Sequence, residues 1–88
     1  MIVHRVHWLF GWWGLTIGNH VFIIKNLTHR QWLTVRAHEQ CHVEQIARDG
    51  FVRFYVRWFY EWLRFGYPNI QYETDAREYA RNWMRDNY

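Results

Sequence analysis

The chain has 88 residues, a formal net charge of +3 and aromatic side chains at 22% of positions, seven of them Trp. That length allows one domain, residues 1–88, with a modest core, and so many large apolar side chains argue against a disordered segment. Cys41 is the sole cysteine, which excludes an internal disulfide, and the basic residues are interleaved with acids without any run of five, which argues against nucleic-acid binding.

The first fourteen residues carry Trp, His and Gly where a signal peptide has a smooth apolar core, and no apolar run is long enough to span a bilayer. A cytoplasmic protein is the expectation. Trp8, Leu9, Phe10, Trp12 and Trp13 form a dense aromatic segment. Its plainest role is an arm folded over a small core; its sharper one is contact with a protein or a membrane surface. His4 and His7 precede the first β element and read as packing or surface residues, with metal binding by the pair as the alternative.

Trp13 to Ile24 reads as extended, with Leu15, Ile17 and Val21 to Ile24 β-prone. Gly18-Asn19 between the halves suits either a hairpin turn or a bend in one strand. Thr28 with Gln31 three residues on is a capping-box pattern that predicts a helix to about Asp49, closed by Gly50. A second helix is predicted over Phe51 to Phe65, with Phe51, Phe54, Tyr55, Trp58, Phe59 and Trp62 as a buried stripe. After Tyr67-Pro68-Asn69 a third helix is predicted from about Ile70 to Asp86, capped at or near Asn69. The fold class is therefore α+β: a short N-terminal β element packed on three helices.

The first helix contains His38-Glu39-Gln40-Cys41-His42. Residues four apart share a helix face, so the two imidazoles can grip one zinc ion and the intervening Glu39 can serve a metal-activated water as general base. With His38 at 0°, His42 falls at about 40° and Gln45 at about −20°, on one polar face with Thr34 and Gln31. Glu39 falls within the apolar row of Trp32, Val35, Val43 and Ile46, centred at about 100°. A carboxylate in such a row needs a nearby cation or a raised pKa. Cys41 points away from the His pair and reads as a packing residue, and His29 as a surface one.

A catalytic zinc takes three protein ligands. Glu61, Glu73, Asp75, Glu78 and Asp86 are the downstream carboxylates. Glu73 shares a face of the third helix with Ala76, Ala80, Trp83 and Met84, whereas Asp75 and Glu78 lie on the opposite side. The small Ala76 and Ala80 would let this helix approach the first closely. Glu73 is thus the expected third ligand.

His38-Glu39-x-x-His42 with Gln45, followed by Tyr72-Glu73-x-x-Ala76 on a later helix, resembles the gluzincin metallopeptidases. At this length the chain is similar to the minigluzincins and to small phage and bacterial proteins of the same pattern. The resemblance implies a minimal zincin-like fold, zinc on His38, His42 and Glu73, Glu39 as general base and acid, and hydrolysis of a peptide or protein substrate. It also implies a strand bordering the cleft, matched by Val21 to Ile24, with an edge to which an extended peptide could add. Arg77 stands where many gluzincins place an acid that orients a His ligand. Tyr67, Tyr72, Tyr79 and His20 are all candidates to stabilise the transition state. A non-catalytic zinc-stabilised binding module and an aromatic protein- or membrane-docking domain are the alternatives.

Overall fold

In a computed structural model describing residues 1–88, the chain is α+β. Three strands, β1 (Ile2–Val6), β2 (Gly14–Ile17) and β3 (His20–Ile24), precede three helices, α1 (His29–Asp49), α2 (Phe51–Phe65) and α3 (Gln71–Asn87). A 3-10 turn, Tyr67–Asn69, joins α2 to α3. No helix is long and apolar enough to cross a membrane.

The β2–β3 connection is a hairpin. Gly18 has φ 60° at the first central position of a two-residue turn, as a type II′ turn requires, and Ile17 registers with His20. β1 is an element that the sequence reading did not anticipate. It pairs in parallel with β3, Ile2 opposite His20 and Val6 opposite Ile24, giving the order β1-β3-β2. β3 is therefore the central strand, with both edges occupied. The expectation that Val21 to Ile24 offers a free edge to substrate is wrong, and the free edge near the cleft belongs to β2. Val21 and Ile23, fully buried, point from β3 toward the helices.

α1 runs through the middle of the molecule and touches β2, β3, α2 and α3. Its capping box forms as expected: Gln31 N–H donates to Thr28 Oγ1 (3.2 Å) and Thr28 N–H to Gln31 Oε1 (3.0 Å). Gly50, at φ 91°, ends α1 and starts α2. Ala76 and Ala80 are buried and present only methyl groups to the neighbouring helix, the condition for close approach.

The cap of α3 falls on Ile70, next to Asn69, without a side-chain hydrogen bond; the Asn69 amide donates back to Phe65 O, and Glu61 Oε1 on α2 accepts from Gln71 N–H (2.8 Å). The α2 stripe is only half core. Phe54 joins Ile46, Ile70 and Tyr72, with Tyr55 and Trp58 packed against them, while Phe51, Phe59 and Trp62 are exposed. In the aromatic arm Leu9 alone is buried, while Trp8, Phe10, Trp12 and Trp13 are exposed.

Candidate metal centre

The long α1 carries His38 and His42 one turn apart, and the N-terminal turn of α3 carries Glu73 to them. His38 Nε2–H donates to Glu73 Oε2 at 2.8 Å, and His42 Nε2 lies 3.1 Å from Oε1. One ligand atom from each of the three side chains lies within 4.8 Å of the others, an arrangement able to hold a metal ion. The donor set fits such an ion: tetrahedral bonds of about 2.0–2.1 Å place ligand atoms about 3.3 Å apart, so a small outward shift of each group suffices. Of the downstream carboxylates, only Glu73 reaches the pair. Glu61 is engaged by Arg57 and Gln71, and Asp75 by Gln71.

The orientation of His42 follows from its neighbours. The Tyr72 carbonyl can only accept, so the Gln45 amide nitrogen donates to it (3.1 Å) and Gln45 Oε1 faces His42. That oxygen needs a donor, so His42 Nδ1 carries a proton (2.8 Å) and its Nε2 is left toward Glu73. Gln45 thus takes the orienting role for which position 77 has no acid. Arg77 turns away to Pro68 O and Thr74.

Trp58 contributes a contact that the sequence reading missed. Its indole N–H donates to Glu73 Oε1 at 3.1 Å, so a residue taken for core alone fixes the third ligand. A tryptophan on the cleft-facing flank of an amphipathic helix was the only signal for it. Glu73 is held well below the usual carboxylate range: burial raises its pKa, but hydrogen bonds from His38 and His42 and their charges outweigh burial. His42 shifts upward, because the Glu73 contact overcomes the effect of burial.

Glu39 is buried, as its apolar phase predicted. Desolvation raises its pKa, partly offset by His42, by the Thr16 hydrogen bond and by His38. Thr16 Oγ1, on β2, donates to Glu39 Oε2 at 2.7 Å. Gly14, on the same strand, leaves room for this side chain; a Cβ there would meet Glu39 Oε1 and Val35 Cγ1 at 2.8 Å. Neither Thr16 nor Gly14 is marked by any motif. Their pairing with Glu39 depends on the sheet lying across α1.

Glu39, His42 and Glu73 line one cavity with Trp12, Leu15, Phe54, Tyr55, Trp58 and Tyr67. The cavity separates the four candidate transition-state groups. Tyr67 lines it, and burial together with Glu73 and Glu39 pushes its phenol up to about 12. Tyr72 donates to Asp49, Tyr79 lies beside Cys41 and Glu44, and His20 pairs with His4 on the sheet. Cys41 is buried as expected, its thiol raised to about 11 by desolvation.

On the cavity side of β2 the backbone of Gly14 and Thr16 faces outward. Ile24 N–H donates to Trp13 O, so the alternate residues Gly14 and Thr16 turn their peptide groups from the sheet, and Tyr55 Oη–H donates to Thr16 O at 2.6 Å. Comparison with protein-family models, curated proteins and solved structures returns no match. The reading of the site therefore rests on its own geometry.

Proposed function

We propose that this chain is a zinc-dependent peptidase. The observation that carries the reading is the convergence of His38, His42 and Glu73 beside a buried, pKa-raised Glu39 that faces the same cavity. Zinc bound there would polarise the scissile carbonyl and make water a competent nucleophile near neutral pH. Glu39 takes the proton of the attacking water and passes it to the leaving amine, a task suited by a carboxyl whose pKa lies above the usual range. Thr16 holds one Glu39 oxygen and so directs the other into the cavity. Tyr67, kept protonated, donates to the developing oxyanion. An extended peptide would lie along the β2 edge at Gly14 and Thr16 rather than along β3.

A second reading is a zinc-stabilised module without turnover, favoured by the placing of all three ligands on α1 and α3, which one ion would cross-link. Peptide digestion by Glu39→Gln separates the two. The peptidase keeps one zinc per chain and loses cleavage by at least about a hundredfold, the usual scale for a general base. Equal cleavage by Glu39→Gln and wild type sinks the mechanism. Absence of cleavage in both, with zinc bound, favours the stabilised module.

A further inference from the structure

Helix α2 leaves much of its surface without a partner. Val52, Val56, Phe59 and Leu63 recur at four- and three-residue intervals and lie within about 60° of one another around the helix. Their exposures run from 53% to 72%, and the exposed Tyr60 widens the face. Arg53, Arg57 and Arg64 border it on one side. The only acid of the helix, Glu61, is buried and turned inward to Gln71 N–H and Arg57. The outer surface of α2 is thus apolar along its centre and bordered on one flank by Arg53 and Arg64, which have no acidic partner, and by Arg57, paired with Glu61.

Tyr55 and Trp58, on the other flank, share the cavity with Trp12 of the N-terminal aromatic segment. At its tip Trp8 and Phe10 are 68% and 72% exposed, with ring centroids 4.5 Å apart. Phe10 is held at φ 55°, a costly conformation for a bulky residue, next to Gly11 at φ 92°. The backbone therefore presents this aromatic pair to solvent.

The geometry points to docking of the α2 face and the Trp8–Phe10 tip on an anionic bilayer surface, with α2 lying in the plane of the headgroups. An apolar stripe bordered by Arg, near exposed Trp, matches the chemistry of the interface, where apolar side chains enter the acyl boundary and cations meet anionic lipid. The net charge of +3 has the matching sign. The helix cannot span the bilayer. A second copy of the chain fits less well, because two-fold antiparallel pairing of α2 sets one Arg row against the other. This inference is independent of the peptidase reading.

Co-sedimentation of the full chain with lipid vesicles tests it. Vesicles of phosphatidylcholine with about one quarter phosphatidylserine should bind at least about tenfold more tightly than pure phosphatidylcholine, and salt should weaken the binding. The double variant Val56→Asp/Leu63→Asp, both positions exposed, should lose binding while keeping its circular dichroism. Arg53→Gln/Arg64→Gln should lower the preference for anionic lipid about tenfold. No wild-type binding to anionic vesicles overturns the inference, as does undiminished binding by the Asp variant. A dimer split by the same Asp variant, without lipid binding, assigns the face to a second copy and overturns it equally.

Discussion

At the scale of single residues, the centre is organised by side chains that would not themselves touch a metal. Gln45 links His42 to the Tyr72 carbonyl and thereby chooses which imidazole nitrogen faces Glu73. Trp58 does the corresponding work for the carboxylate. Gln45→Leu is nearly isosteric but removes both hydrogen bonds, freeing the ring to turn. Zinc affinity measured by competition with a chromophoric chelator should fall about 10- to 100-fold, the usual effect of losing a ligand's orienting partner. Unchanged affinity would show that His42 is held by packing against Phe54 alone, with which it makes an edge contact at 5.7 Å.

At the scale of elements, α3 must begin where it does for Glu73 to reach α1. Its N-terminus has no cap from its own chain segment; Glu61 of α2 supplies the acceptor for Gln71 N–H. Glu61→Ala leaves that donor unmatched and removes a negative charge from the positive end of the helix dipole. A loss of about 1–2 kcal/mol is expected, with Glu61→Gln losing less than half as much, read from urea unfolding of the metal-free protein. Equal losses for the two variants would assign the effect to packing. This contact also marks where sequence reading runs out. The α1 capping box, the Gly50 stop and the inward phase of Glu73 are local patterns, legible from spacing alone. The Glu61 cap, the Thr16–Glu39 bond and the β1–β3 pairing join residues 10, 23 and 18 positions apart, and no local period encodes them. The α2 stripe misled for a related reason: a hydrophobic period reports which face is apolar, not whether a partner covers it.

At the scale of the whole molecule, His42 and the two carboxylates Glu39 and Glu73 couple stability to pH in a direction that depends on the metal. Without metal, His42 has a pKa above its ordinary 6.5, so its contribution is complete below that value and is lost as pH rises through the folded pKa. Glu39, raised above 4.5, acts in the same direction from a lower starting point: its contribution is present below 4.5 and fades on the way up. Glu73, depressed below 4.5, stabilises above that value and loses its contribution only as pH falls through its folded pKa. The chelator-treated protein should therefore be most stable at mildly acidic pH, between about 4.5 and 6.5, and weaken toward pH 8. Zinc held by these side chains would reverse the slope. The ion would compete with protons for the imidazoles, so its affinity and the stabilisation it confers should rise with pH through the same interval. Thermal unfolding with zinc and with chelator, from pH 5 to 8, should give curves that diverge upward, with the gap in Tm widening at each step. Parallel curves would mean that zinc binds away from His38, His42 and Glu73. A widening gap that disappears in Glu73→Gln would place the ion on these three side chains, because that substitution removes the one carboxylate in contact with both imidazoles while keeping the helix and its small-residue contact with α1 in place.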